Sequence, residues 1–195
     1  MNIGLFFGSF NPIHVGHLII ANQILNETKI NKVWFVVSPQ NPFKINSFLL
    51  NENDRFHLVR LSIENDSRMK ATNIEFKLPR PSYTVDTLAY LKEKYPKNSF
   101  SIIMGSDSFL NLNKWKNFEI IINDYKIYVY KRAGIEVVNS LNAQTTILDA
   151  PIIQISSSQI RELIKQKKSI RYLVPDNVRE EIESRKLFSQ INQKK

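Results

Sequence analysis

Apolar positions along this chain fall into short continuous runs, separated by stretches in which they recur every three or four residues. Val33-Trp34-Phe35-Val36-Val37 has no polar member, the pattern of a strand buried on both faces. Residues 2–7 and 100–104 read as strands of the same kind. Between the first two runs, Leu18, Ala21, Ile24 and Leu25 keep helical spacing and predict a helix over 16–27. A long loop follows at 38–50, stiffened by Pro39 and Pro42. Asn51 is a suitable N-cap for a helix through Ile63, with Glu52 and Asp54 in its acidic first turn. Further on, the pattern predicts a strand at 71–76 and a helix at 85–94, stopped by Tyr95-Pro96. A helix over 118–122, a strand over 126–130 and short strands at 147–148 and 152–155 come next. Helices over 157–167 and 178–184 close the reading.

Strands alternating with helices imply an α/β fold with a mostly parallel, doubly wound sheet, helices on both faces and a small C-terminal helical portion. No repeat or linker divides the chain, and 195 residues suit one domain spanning 1–195. In such sheets ligands bind beyond the carboxyl ends of the strands, near a switch point. The loops after the first, second, fourth and last strands hold the chemically distinctive residues, so they are expected to converge at one rim.

Composition narrows this picture in three ways. The chain has no cysteine, which removes disulfides and thiolate metal ligands and suits a reducing, cytoplasmic setting. No apolar stretch approaches the ~18 residues of a membrane span, and the N-terminus lacks the basic start of a signal peptide. The net charge of +9 favours anionic partners. Nine Lys/Arg against four Asp/Glu between residues 165 and 195 account for much of it, and a solvated helical tail explains that surplus equally well.

Two strand-to-helix junctions carry the candidate chemistry. In Gly8-Ser9-Phe10-Asn11-Pro12-Ile13-His14-Val15-Gly16-His17, Gly8, Ser9 and Phe10 offer backbone for close approach to a ligand. Gly16 leaves space where the helix begins, and its N-terminus presents unpaired N–H groups and partial positive charge suited to phosphate. His14 and His17 could donate to phosphate oxygens. Zinc would need further ligands, and the third histidine, His57, belongs to another helix. A structural turn that merely contains histidines also remains open. In Ile155-Ser156-Ser157-Ser158-Gln159-Ile160-Arg161, Ser156 and Gln159 match a capping box, so an ordinary capped helix is one reading. The other is a second phosphate-facing helix start.

Together these stretches resemble the T/H-x-G-H and I-S-S-T-x-I-R signatures of the nucleotidyltransferase superfamily, which implies a Rossmann-like fold. Ser82-Tyr83-Thr84-Val85-Asp86-Thr87-Leu88 and Gly105-Ser106-Asp107-Ser108, on through Trp115, resemble bacterial nicotinate-nucleotide adenylyltransferases. That resemblance implies adenylyl transfer from ATP to nicotinate mononucleotide, giving deamido-NAD and pyrophosphate, with Mg²⁺ accompanying ATP and no dedicated protein metal site. It implies catalytic roles for His14 and His17. It implies ATP contacts from Gly8, Ser9, Phe10, Gly16, Gly105, Asp107, Ile155, Ser157, Ser158 and Arg161. Lys44, Tyr83, Thr84, Trp115 and Lys116 would meet the mononucleotide. No nucleic-acid or membrane partner is implied, and a homo-oligomer is allowed.

The chain departs from the family pattern at Phe7-Gly8, where Gly-Gly is common, at Asn11 in place of Asp, and at Phe43 in place of the histidine before Lys44. Pantetheine-phosphate adenylyltransferase shares both phosphate signatures and is the alternative enzyme. A non-enzymatic nucleic-acid binder rests on charge alone.

Overall fold

A computed structural model of the chain describes residues 1–40, 48–131, 134, 136–148, 151 and 154–189. The strands are β1 (Asn2–Gly8), β2 (Lys32–Val37), β3 (Met69–Thr72), β4 (Ser99–Gly105), β5 (Lys126–Tyr130) and β6 (Thr145–Leu148). Every neighbouring pair is parallel, in the order β3-β2-β1-β4-β5-β6. The helices are α1 (Val15–Glu27), α2 (Glu52–Ser62), α3 (Thr84–Lys94), α4 (Ser106–Leu110), α5 (Phe118–Asp124), α6 (Ser157–Lys165) and α7 (Asp176–Ser184). The doubly wound α/β class expected from the alternation is the class observed.

The continuous apolar runs are explained by two cores, one on each face of the sheet. Val33, Phe35 and Val37 of β2 join Phe6, Ile103 and Tyr128 on the face covered by Ala21 and Ile24 of α1, Leu58 of α2, Ile160 of α6 and Val178 of α7. Trp34 and Val36 point the other way with Leu5, Ile102 and Val129, under Leu88 of α3, Phe109 of α4 and Ile121 of α5. Successive side chains alternate faces, so a strand covered on both sides needs apolar residues at every position.

Leu5 lies opposite Trp34 on one side and Ile102 on the other, so β1 and β4 are central neighbours. The chain works outward from β1 to β3, then crosses back to β4. That reversal opens a crevice above the carboxyl ends of β1 and β4.

Several local expectations need correction. The strand read over 71–76 is β3, four residues earlier in its end, followed by a 3-10 turn at Ile74–Lys77. The reason is Glu75, 2% exposed, whose carboxylate accepts from Ser82 and Thr87 and turns the chain inward off the sheet edge. Helix α4 and a 3-10 turn at Leu112–Lys114 occupy a stretch with too few residues to show helical periodicity. Helix α6 ends at Lys165 because Lys167 takes φ 55° and the amides of Lys167 and Lys168 return to Ile164 and Leu163. Of the strand read over 152–155, residues 152 and 153 lie outside the described residues, and Gln154 and Ile155 are not in a strand.

Candidate active site

The loop leaving β1 is built around a buried aromatic anchor. Phe10 has φ 44° and is 2% exposed, its ring packed edge-on to Phe6, Phe35 and His17. A left-handed phenylalanine costs about 1–2 kcal/mol, which burying the ring offsets. Gly8 must lack a side chain, since a Cβ there would meet the Phe10 ring at 2.8 Å.

His14 is the N-cap of α1 and His17 stands at its third position. The His14 backbone N–H donates to His17 Nδ1 at 3.3 Å, so the imidazole does the work that a glutamate or glutamine does in a capping box. With Nδ1 accepting, the neutral ring carries its proton on Nε2 and is a donor there. The two imidazoles stack with centroids 3.7 Å apart, His14 buried beneath the half-buried His17.

Helix α6 meets this loop across the crevice. Ser157 Oγ donates to the Pro12 carbonyl at 2.8 Å, and Arg161 Nη1 donates to the Asn11 carbonyl at 2.7 Å. Arg161 Nη2 also donates to Ser158 Oγ at 3.1 Å, leaving further N–H donors of the fork available. Partial burial lowers the Arg161 pKa from its ordinary value by desolvation. Ser156 caps α6 by accepting from the Gln159 N–H at 3.2 Å, as its spacing predicted. The two helix starts, at Val15 and Ser157, are therefore stitched together through the backbone of the loop leaving β1.

On the β4 side, Asp107 lies in the first turn of α4. Its carboxylate curls back so closely that a Cβ on Gly105 would lie 2.7 Å from Oδ1 and 3.1 Å from the Tyr130 ring. Gly105 is the residue that lets this carboxylate reach the cleft.

These pieces line one cleft of about 630 Å³. Of the residues singled out from sequence, it brings together Gly8, Ser9, Phe10, His14, His17, Gly105, Asp107, Trp115, Ile155, Ser157, Ser158 and Arg161. Gly16 is buried in the first turn of α1 behind this wall. Tyr83, Thr84 and Lys116 are not among the residues lining the cleft. Tyr83 and Trp115 both pack on the second core, and Lys116 Nζ is 3.0 Å from Asp86 and 4.7 Å from the Tyr83 ring centroid. Lys44 lies outside the described residues. His57 is remote from the cleft, on α2, 3.0 Å from Glu181 of α7. Among the described residues no group of three or more His, Asp or Glu could hold a metal ion.

Sequence reasoning missed Arg55, Glu75 and the work done by Asn11. Arg55 is fully buried and donates to the carbonyls of Leu50, Ser9, Ser38 and Pro39 at 2.6–2.8 Å. Burial lowers its pKa to about 10, with Glu52 acting in the opposite sense, so it stays charged at neutral pH. Asn11 donates to the Phe48 carbonyl at 2.8 Å and accepts from the Leu50 N–H at 3.1 Å. Its amide both gives and takes, which an aspartate there could not do.

A parallel sheet of this order brings two helix starts to one crevice, with histidines on one of them. The cytidylyltransferase-like family model matches residues 5–163. A curated relative from Cytophaga hutchinsonii, named "Probable nicotinate-nucleotide adenylyltransferase", is 52% identical over 97% of this chain and 99% of its own. One of the same name from Flavobacterium psychrophilum is 49% identical over 91% and 94%. The fold also matches the Plasmodium falciparum nicotinic acid mononucleotide adenylyltransferase complexed with NaAD, at a TM-score of 0.81 and 20% identity, covering 96% of this chain and 97% of that one. The chain belongs to the nicotinate-nucleotide adenylyltransferase family.

Proposed function

We propose that this enzyme transfers the adenylyl group of ATP to nicotinate mononucleotide, forming nicotinate adenine dinucleotide and pyrophosphate, with the roles set out here. The observation that carries the reading is the stitched pair of helix starts, α1 with His14 and His17 and α6 with Ser157, Ser158 and Arg161, facing one cleft. Both present N–H groups and positive dipole ends to an anionic chain.

An oxygen of the mononucleotide 5′-phosphate attacks the α-phosphorus of ATP. The new P–O bond forms as the bond to the β-phosphate oxygen breaks, and pyrophosphate leaves. A phosphate monoester has a second pKa near ~6, so the nucleophile is largely dianionic at neutral pH and needs no general base. Catalysis then rests on alignment and on donors placed where charge develops. His17 supplies Nε2–H to the transferring or leaving phosphate, with its tautomer set by the His14 amide. Arg161 and the Ser157–Ser158 turn receive the opposite end of the triphosphate, and Asp107 accepts from the ribose hydroxyls. Gly8, Ser9, Phe10, Gly16, Gly105 and Ile155 supply backbone and space around ATP. Mg²⁺ arrives as the ATP complex, held by phosphate oxygens and water.

Trp115 stacks on the pyridine ring, the backbone N–H groups of Thr84 and Lys116 meet its carboxylate, and Lys44 is the further cation assigned to the mononucleotide. Two N–H donors suit two carboxylate oxygens, whereas an amide NH₂ sets donor against donor. The test is pyrophosphate release from ATP with nicotinate mononucleotide, nicotinamide mononucleotide or phosphopantetheine as acceptor. The reading expects the first to dominate in kcat/KM. Turnover with phosphopantetheine alone would make this a pantetheine-phosphate adenylyltransferase instead.

A further inference from the structure

Two charged side chains are buried in the wall behind the cleft, and a single serine joins them. Arg55 donates to the Ser9 carbonyl in the phosphate loop at 2.6 Å and to the Ser38 carbonyl at 2.7 Å. The Ser38 hydroxyl in turn donates to the Glu75 carboxylate. Glu75 accepts also from Ser82 Oγ at 3.0 Å and from Thr87 Oγ1 at 2.9 Å. Its partners among the described residues are hydroxyls rather than cations, and desolvation pushes its pKa above the ordinary glutamate range.

The three hydroxyls come from separate segments: the exit of β2, the strand-like approach to α3, and the first turn of α3. A carboxylate with two oxygens locks those segments to one another, because leaving any of these buried groups without its partner is costly. Thr87 Oγ1 is also 3.3 Å from the Tyr83 carbonyl, so the lock acts directly on the N-cap of α3. The next residue, Thr84, begins the helix, and its N–H has no partner within the helix.

We propose that Glu75 is a positioning residue for the acceptor half of the cleft. Through Thr87, Ser82, Ser38 and Arg55 it holds the start of α3 at a set distance from the Ser9–Phe10 loop, and so sets the preference for a pyridine mononucleotide bearing a carboxylate over one bearing an amide. This rests on the reading above, in which the Thr84 N–H meets that carboxylate.

The test compares steady-state kinetics of the wild-type enzyme with Glu75→Ala, Glu75→Gln and Thr87→Val. Thr87→Val keeps the buried volume and removes one hydroxyl. The expected result for Glu75→Ala is a rise of about tenfold in KM for nicotinate mononucleotide and a comparable fall in the acid-to-amide ratio of kcat/KM, the scale of one misaligned hydrogen bond. KM for ATP should stay within about twofold. Glu75→Gln, which keeps one acceptor oxygen, should restore part of the ratio, and Thr87→Val should move it in the same direction as Glu75→Ala. A merely structural glutamate would lower the active fraction, cutting kcat equally for both acceptors while leaving both KM values and the ratio alone; that outcome overturns the proposal. Should Glu75→Ala fail to fold, Thr87→Val with an unchanged ratio overturns it as well. A wild-type enzyme without acid preference would instead reject the acceptor assignment on which the proposal stands.

Discussion

His17 combines two functions that one substitution can separate. Its Nδ1 closes the start of α1 by accepting from the His14 N–H at 3.3 Å, while its ring lines the cleft, where the proposed donor is Nε2–H. In His17→Asn the Oδ1 atom branches from Cγ where Nδ1 did, so the capping bond can re-form, but no donor reaches the Nε2 position. The ring also meets Phe10 at 5.1 Å and Phe6 at 5.8 Å between centroids, contacts worth about 0.5–1.5 kcal/mol each that the substitution gives up. Stability should therefore fall by about 1–3 kcal/mol. Turnover should fall 10²–10³-fold, roughly 2.7–4 kcal/mol, as for loss of one preorganised transition-state donor. His17→Gln places at the third helical position a residue that itself closes capping boxes, so stability should be largely kept while turnover falls with the loss of the imidazole donor. His17→Ala loses both. Urea unfolding and pyrophosphate release on the same preparations separate the two effects. Near-wild-type kcat in a folded His17→Asn enzyme would refute the donor role.

Three further outcomes follow from the cleft walls. Gly105→Ala places a methyl 2.7 Å from Asp107 Oδ1, so the carboxylate must move; KM for ATP should rise about tenfold with the circular dichroism spectrum unchanged, measured at saturating acceptor. Asn11→Asp installs the residue common in the family, yet here it sets a carboxylate oxygen against the Phe48 carbonyl 2.8 Å away; denaturation should show a loss of about 1–3 kcal/mol at neutral pH. Because burial raises the Glu75 pKa, the folded state holds that proton more tightly than the unfolded chain. The contribution of Glu75 to stability is thus complete below the ordinary glutamate range and is lost as pH rises through the elevated native value. The stability of wild type relative to Glu75→Gln should decline across that window and level off above it; a difference independent of pH there would contradict the buried ionisation.

Much of this architecture could be read from local pattern. The apolar runs at β1, β2, β4 and β5 and the spacing in α1 depend on which faces are covered, and that requirement is written into each segment. Caps are equally local: Asn51 accepts from the Asn53 N–H, and Ser156 from the Gln159 N–H. The two strand-to-helix junctions were legible for the same reason, since the glycine and histidines of the first and the serine cap of the second are local features.

Other features exist only because the chain folds back on itself. On their own segments Arg55 and Glu75 are ordinary charged residues, one in the helix expected after Asn51 and one in the strand expected over 71–76. Their burial arises because parallel crossovers bring the ends of β1, β2 and α3 to one place, where carbonyls and hydroxyls from distant segments can solvate a charge that water no longer reaches. Asn11 looked like a departure from the family until the Phe48–Leu50 backbone stood beside it to use both halves of its amide. Periodicity along a segment can report which side faces a core; only the crossing of segments decides which polar groups that core must satisfy.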